Sequence, residues 1–332
     1  MGRVFSDADV EAKFWRDGYV VQPLLDAEEI KGLYDLHQST TLDVPTDHYA
    51  TPFSSDALYR ETIRQGINAI LLSRLRLLMP HYYPCLSSYV VKRGNSSQGG
   101  VPIHQDYSMV DFEQHTAVHI WCPLIDVDET NGCLKAVAGS HKFFNHIVAV
   151  SGNPAPYGPL RKLLEEEYAV PVPMPAGSAF IFDERLLHCS NENHTDALRI
   201  AVGGVMIPEG CTPLLYMWDK DKPEQLTVLE VSVEYLTQFK IGVLIKEPYP
   251  QGVKFLKTIS NKVVPLTTDD FTSLHPSAAK VADSRDQCSI CIDTNIQIAN
   301  SQTRGKSDLH GSSSLSNKRN RWFNYLIAWL QR

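Results

Sequence analysis

The sequence predicts an all-β core flanked by α-helices. Apolar residues recur with helical spacing before residue 80, whereas residues 86–207 contain short apolar runs separated by Gly, Pro and Asn turns. Of the 332 residues, 43% are hydrophobic and 21% are charged, which is enough apolar surface for a sizeable core. Because one core stops growing at roughly 250–300 residues, the chain forms either one enlarged domain with a tail or two domains.

Three helices are predicted before residue 80. The first covers residues 7–17, and a second begins near residue 26 after the extended segment 19–23. The longest covers 56–79, where a stripe of Leu and Ile with helical spacing is stopped by Pro80.

Five strands are predicted beyond the helices. Each is a short apolar run bounded by turn residues. They are Leu86–Val91, Ala117–Leu124, Cys133–Val137, Gly177–Phe182 and Leu198–Ile207. Short strands alternating with turns are typical of an antiparallel sandwich or barrel.

The composition changes near residue 263, which divides the chain into three predicted parts. Residues 1–262 form the folded domain and carry a net charge of −9. Ten serines between residues 267 and 317 predict a flexible linker over 263–317. Residues 318–332, basic and then strongly apolar, predict a terminal helix that docks on the core, contacts a membrane interface or forms a dimer contact. We favour docking or self-association into a homo-oligomer.

Charge and cysteine content exclude several classes of protein. A net charge of −7 disfavours a general nucleic-acid-binding role, which needs a cationic field. Seven scattered cysteines argue against a secreted disulfide scaffold. The N-terminus has no apolar signal segment, and no stretch approaches the length of a membrane span. We therefore expect a cytoplasmic protein.

A candidate metal site begins in the stretch Ile103-His-Gln-Asp-Tyr107. His104 and Asp106 are two residues apart on an apparent strand, so their side chains point to the same face. A nitrogen and a carboxylate suit a borderline divalent metal, which needs a third ligand. His188 is the best placed, because a hairpin turn near residues 193 and 194 would set it opposite Arg199.

Two further strands contribute side chains to the same predicted cavity. On the strand Leu198–Ile207, Arg199 shares a face with small residues, which leaves room for a ligand carboxylate held by the guanidinium. On the strand Ala117–Leu124, one face is entirely apolar, and His119 and Trp121 point together from the other.

At these positions the sequence resembles the phytanoyl-CoA dioxygenase family of Fe(II)- and 2-oxoglutarate-dependent oxygenases. The resemblance covers residues 8–245. It is carried by His104-Gln-Asp106, Asn131-Gly-Cys-Leu134 before Gly139-Ser-His141, Gly177-Ser-Ala-Phe-Ile-Phe182 before His188 and Arg199, and the opening Phe14-Trp-Arg-Asp-Gly-Tyr-Val-Val21. It implies a double-stranded β-helix, a cupin-like jelly roll with N-terminal helices, whose core spans about residues 85–245.

The resemblance also implies roles for individual residues. His104, Asp106 and His188 resemble the iron ligands, and Arg199 resembles the arginine that binds the distal carboxylate of 2-oxoglutarate. Ser190 matches a helper to that carboxylate, Trp121 an aromatic near the cosubstrate, and Lys92 a further cosubstrate residue. Apart from the resemblance, we expect substrate contacts from Tyr107, Met109 and Phe112 in the loop after the His104 and Asp106 motif, and from His119, which shares a strand face with Trp121.

The implied reaction couples oxidation of a substrate by O2 to conversion of 2-oxoglutarate into succinate and CO2. Halogenating relatives replace the carboxylate ligand by a small residue, so Asp106 favours hydroxylation or desaturation. We expect a small or mid-sized metabolite, a natural-product intermediate, as substrate. Only Arg60, Arg64, Arg74 and Arg76 form a local basic cluster, and we interpret it as a solvated helix face rather than a site for CoA phosphates.

Other interpretations stay open at this point. The chain could be a catalytically silent jelly roll that binds a metabolite, a fatty acyl-CoA 2-hydroxylase of the phytanoyl-CoA type, or a metal-dependent isomerase that needs no 2-oxoglutarate. A zinc pair of His115 and His119 is disfavoured because their segment is predicted as strand. Cys288 and Cys291 form a C-x-x-C pattern without a second pair, which indicates chance.

Overall fold

The computed structural model describes residues 2–40 and 46–274 of the chain. The terminal segment 318–332, most of the predicted linker and the pair Cys288 and Cys291 lie outside these residues. The helices of the described part are α1 (Ala8–Asp17), α2 (Ala27–Ser39), α3 (Ala57–Leu78), α4 (Arg161–Leu163), α5 (Val233–Gln238) and α6 (Thr268–Leu274). Short 3₁₀ turns occur at Thr51–Phe53, Ser140–Lys142 and Gly158–Leu160, and α4 continues as one π turn at Leu164–Tyr168.

Thirteen strands complete the described part of the chain. They are β1 (Tyr19–Pro23), β2 (His48–Ala50), β3 (Tyr82–Lys92), β4 (Val101–His104), β5 (Val118–Pro123), β6 (Leu134–Ala136), β7 (Val170–Pro171), β8 (Ser178–Asp183), β9 (His188–Ser190), β10 (Arg199–Pro208), β11 (Leu214–Trp218), β12 (Gln225–Val231) and β13 (Val253–Ser260). The three helices and five strands predicted from the sequence are all present, with bounds shifted by a few residues at most.

Two antiparallel sheets form the centre of the molecule. The larger has the order β1-β8-β5-β10-β3-β2, and the smaller has the order β4-β9-β6-β7. From β3 to β10 the chain repeatedly crosses between them. The facing sheets share one apolar cluster in which Trp121, Phe180 and Phe182 of the larger sheet meet Leu134 and Ala136 of the smaller. This arrangement is the predicted double-stranded β-helix.

The N-terminal helices cover the outer face of the larger sheet. Asp7 caps α1, Asp26 and Glu29 form a capping box at α2, and Asp56 caps α3. Their apolar stripes pack on the face of β5 and β10 that points away from the smaller sheet. This cluster contains Phe14, Leu33, Ile63, Ile67 and Leu71 from the helices with Val118, Ile120, Ile200 and Val202 from the strands. The other face of β5 and β10 is therefore free to point between the sheets.

The prediction that a hairpin joins His188 to Arg199 is wrong. The strand β9 belongs to the smaller sheet and β10 to the larger, so residues 191–198 cross from one sheet to the other. His188 is paired with His104 and Ala136, and Arg199 is paired with Lys92. The turn residues stabilise this crossover, because the Asn193 side chain donates to the Ala197 carbonyl and accepts from Thr195.

A third sheet and a last helix extend the β-helix at its C-terminal side. The strands β11, β12 and β13 form an antiparallel sheet. Residues 268–274, predicted as part of the linker, instead form α6, whose Phe271 is only 1% exposed and packs on Phe144 and Tyr168. Among the described residues, no helix combines the length and the apolar character needed to cross a bilayer.

Candidate metal centre

Three side chains with metal-binding atoms meet between the two sheets. His104 ends β4, His188 begins β9, and the two are directly paired across these strands. Asp106 follows two residues after His104 and completes the group, in which one ligand atom from each residue lies within 4.8 Å of the others. Within the described residues this is the one such cluster, and it contains the three residues that the sequence predicts.

Hydrogen bonds orient both imidazoles for metal binding. Nδ1 of His104 lies 2.9 Å from the Pro102 carbonyl, and Nδ1 of His188 lies 3.0 Å from the Leu186 carbonyl. A carbonyl oxygen only accepts, so each Nδ1 carries the hydrogen and each Nε2 keeps its lone pair. The Nε2 atoms lie 3.7 and 3.8 Å from the Asp106 carboxylate oxygens, as expected for three ligands that surround one ion.

The electrostatics of the cluster also suit a metal. Burial, reinforced by the nearby His104, lowers the pKa of His188 to about 4, so this imidazole is neutral at physiological pH. Burial by itself would raise the pKa of Asp106. Electrostatic interaction with the surrounding imidazoles, His119 first, outweighs burial and holds that pKa well below its ordinary value. A neutral imidazole and an ionised carboxylate are the forms that coordinate a divalent ion.

His119 lies directly behind the metal cluster. Its Nδ1 is 2.7 Å from Asp106 Oδ2, so it donates to the carboxylate. The sequence places His119 with the substrate residues; the structure places it in the cavity wall and gives it the Asp106 contact in addition. Contacts of this kind fix the orientation of a metal ligand.

The cavity that contains the metal cluster also has a buried cationic end, which is formed by Arg199. Arg199 is 1% exposed, its Nη1 donates to the Gly132 carbonyl at 2.7 Å, and its guanidinium lies 5.0 Å from the ring centre of Trp121. Burial lowers the pKa of Arg199 to about 9, which still leaves it charged at neutral pH. Its Nε has no partner among the described residues, and no carboxylate of the described chain forms an ion pair with it. An anionic ligand in the cavity would fulfil both needs.

Lys92 and Ser190 stand beside this cationic end. Lys92 is completely buried, and its Nζ donates to Ser190 Oγ at 2.8 Å and to the carbonyl of Asn191. Because Lys92 occupies a lone pair of Ser190 Oγ, the hydroxyl hydrogen is free to donate elsewhere. Ser190 lines the cavity, whereas Lys92 acts on it from behind.

Sequence reasoning missed His48. It lies on β2, paired with Lys92, and lines the cavity with a buried Nδ1 that has no partner in the described part of the chain. Burial, followed by the charges of Lys92, Arg199 and His104, holds its pKa well below the ordinary value. No motif surrounds this residue, and a strand of three residues has too little periodicity to be recognised.

Only some of the predicted substrate residues line the cavity. Tyr107 and Met109 line the cavity. Phe112 is not among the lining residues, because its ring lies under the guanidinium of Arg185, 5.8 Å away. The cavity encloses about 230 Å³ and connects the metal cluster, the cationic end and an apolar region.

The geometry agrees with a comparison of sequences. Residues 10–201 match the sequence profile of the phytanoyl-CoA dioxygenase (PhyH) family. The chain belongs to this family. The match contains the whole metal cluster and the cationic end of the cavity.

Members of the phytanoyl-CoA dioxygenase family occur among the similar proteins. The chain is 32% identical over 185 residues to a phytanoyl-CoA dioxygenase of Arabidopsis thaliana. This match covers 52% of this chain and 62% of the relative. It is 30% identical over 149 residues to phytanoyl-CoA dioxygenase 1 of Oryza sativa subsp. japonica, covering 42% and 50%. The matched part of the chain therefore spans between half and two thirds of these relatives.

Solved structures similar to this family member have lower identity. One is the epimerase SnoN in complex with Fe3+, alpha ketoglutarate and nogalamycin RO, with 19% identity, a TM-score of 0.45, and coverage of 62% of this chain and 86% of that chain. Another is EctD from S. alaskensis with 2-oxoglutarate and 5-hydroxyectoine, with 20% identity, a TM-score of 0.43, and coverage of 62% and 78%.

Proposed function

We propose that the chain is a non-haem Fe(II)- and 2-oxoglutarate-dependent dioxygenase that hydroxylates a small or mid-sized metabolite. The observation that carries the proposal is one cavity with a His-Asp-His cluster and a buried Arg199 that lacks a carboxylate partner among the described residues. Two nitrogens and one carboxylate suit Fe(II) and leave positions open for further ligands. The family membership supports the same class of enzyme.

The bound iron and 2-oxoglutarate would supply the oxidation, in which O2 places one oxygen in the substrate and one in succinate while CO2 leaves. His104, Asp106 and His188 would hold the iron, and His119 would keep the Asp106 carboxylate oriented. Arg199 and the Ser190 hydroxyl would bind the distal carboxylate of 2-oxoglutarate, with Trp121 packed on the guanidinium. The surrounding apolar side chains would exclude water, which strengthens these contacts.

The arginines of α3 support a substrate without CoA. Contrary to the predicted solvated face, Arg60 is buried and donates to backbone carbonyls. Arg64 pairs with Glu61, and Arg74 pairs with Asp26 and Glu29. Three members of the basic cluster are therefore engaged within the protein. A CoA thioester would require free cationic groups for its phosphates, so a metabolite such as a natural-product intermediate is the substrate class we propose.

The test begins with spectroscopy of the full chain. Anaerobic addition of Fe(II) and 2-oxoglutarate should give a visible charge-transfer band, which should be lost in Asp106→Ala. The absence of a band with intact, folded protein would refute the proposal. Screening metabolites for stimulated succinate release then identifies the substrate, and turnover without 2-oxoglutarate would instead favour a metal-dependent isomerase.

A further inference from the structure

The cavity wall has two chemically different parts. Among the Asp, Glu, Lys and Arg residues of the described chain, Asp106 and Arg199 alone line it, and they belong to the metal cluster and the cationic end. Another part of the wall is apolar. This apolar wall contains Phe53, Met109, Val205, Leu215, Leu236 and Phe239.

The apolar wall comes largely from a part of the chain beyond the family match. Leu215 lies on β11, Leu236 lies on α5, and Phe239 follows α5, all after residue 201 where the match ends. These three side chains pack in one buried cluster with Met109 and Val205 of the β-helix. Five of the six wall residues therefore belong to one packed cluster.

One buried arginine fixes the position of this wall. Arg60, on α3 and 6% exposed, donates from Nε to the Thr237 carbonyl at 2.9 Å and from Nη2 to the Gln238 carbonyl. Its Nη1 donates to the Ser54 carbonyl at 2.6 Å, next to Phe53 of the wall. The same guanidinium thus holds the C-terminal end of α5 and the 3₁₀ turn at Thr51–Phe53.

From this arrangement we infer that Leu236 and Phe239 determine substrate specificity by selecting an uncharged, apolar group. The inference rests on the proposed function and adds the substrate chemistry of its site. A charged group placed against this wall would lose its hydration without gaining a partner, whereas an apolar group gains from leaving water. Any polar part of the substrate would lie at the metal end or outside the cavity.

Two fluorescent probes that differ in charge test the inference. N-phenyl-1-naphthylamine is neutral, and 8-anilino-1-naphthalenesulfonate adds a sulfonate to the same ring system. With the full chain loaded with Mn(II) and 2-oxoglutarate, the neutral probe should bind at least tenfold more tightly. Leu236→Arg should weaken its binding at least tenfold. The control Leu58→Arg, at a position 77% exposed, should leave it unchanged.

The charge-transfer band with Fe(II) and 2-oxoglutarate separates the two proposals. If Leu236→Arg keeps the band and binds the neutral probe as tightly as the wild type does, the specificity inference is wrong and the proposed function stands. If the wild type gives no band, the proposed function fails. Should Leu236→Arg not fold, Phe239→Ala replaces it, because removing the ring from the wall should change the affinity for the neutral probe at least threefold. Unchanged affinity would overturn the inference.

Discussion

At the scale of single residues, the cavity wall contains buried polar atoms for which the described part of the chain supplies no hydrogen-bond partner. Nδ1 of His48, Nε1 of Trp121 and Nε of Arg199 are buried without a hydrogen bond among the described residues. Leaving such an atom unsatisfied costs about 1–3 kcal/mol. Two of the three are obligate donors, so an anionic ligand such as a dicarboxylate fits them.

We expect His119→Phe to weaken Fe(II) binding by about 10–100-fold, the usual effect of losing a partner of a metal ligand. The replacement removes the donor that lies 2.7 Å from Asp106 Oδ2 and leaves a ring of similar size. The measurement is the Fe(II) concentration that half-saturates the charge-transfer band. His119→Asn is the matched variant, because its amide nitrogen can stand near the position of Nδ1 and should retain most of the affinity. Equal binding by both variants and the wild type would show that the contact has no role in the metal site.

Lys92→Met should raise the 2-oxoglutarate concentration needed for half-saturation about tenfold. The physical reason is that Ser190 Oγ loses the donor that orients it. A tenfold change corresponds to about 1.4 kcal/mol of binding free energy. Lys135→Met is the control, since its Nζ donates to the Glu165 carbonyl and Lys135 does not line the cavity. A wild-type requirement in Lys92→Met would contradict the contact's role.

At the scale of elements, helices and strands could be predicted because their signals are local. Asp7, Asp26 and Asp56 cap the helices where the sequence indicates them, and period-two alternation on β5 and β10 separates the core face from the cavity face correctly. The sheet to which a strand belongs is not local information. For that reason the sequence predicts a hairpin after His188, whereas the chain crosses between the sheets there.

The hydrogen bonds from Arg60 on α3 to the C-terminal end of α5 lead to a prediction about stability. Arg60→Met should lower the free energy of unfolding by about 2–3 kcal/mol, because three carbonyls at a largely buried site lose a charged donor. The measurement is urea denaturation. Arg64→Met serves as the control, since Arg64 forms a partly exposed ion pair with Glu61 that contributes less than about 1 kcal/mol. Equal losses in the two variants would mean that Arg60 does not hold α5.

The turn that contains Gly132 gives a second prediction for an element. Its φ is +76°, and a Cβ there would lie 2.6 Å from the Asn191 carbonyl oxygen. Gly132→Ala should therefore shift the carbonyl that accepts from Arg199 and raise the 2-oxoglutarate requirement several-fold. Gly210→Ala is a matched control, because Gly210 has a φ of +79° but open space around its Cβ position. A several-fold rise in Gly210→Ala as well would attribute the effect to backbone strain alone.

At the scale of the whole molecule, the sequence predicts the β-helix and most of the site but not the full extent of the folded unit. The metal cluster and Arg199 could be found because each lies in a recognisable motif. The wall formed by Leu236 and Phe239 could not, since α5 has six residues and contacts the cavity only through tertiary packing. The burial of Phe271 could not be predicted either, because a single aromatic residue in a serine-rich segment gives no periodic signal.

The metal-binding histidines and Arg199 belong to different sheets, and this links ligand binding to the stability of the whole unit. His104 and His188 lie on the smaller sheet, whereas Arg199 and Lys92 lie on the larger, so a bound metal with 2-oxoglutarate would join them. A ligand at one hundred times its Kd stabilises the folded state by about 2.7 kcal/mol. For a domain of this size we expect Mn(II) with 2-oxoglutarate to raise Tm by roughly 5 °C, measured by calorimetry. Asp106→Ala should abolish the increase. A Tm that stays constant in the wild type while the ligands are shown to bind would mean that the sheets unfold independently of the site.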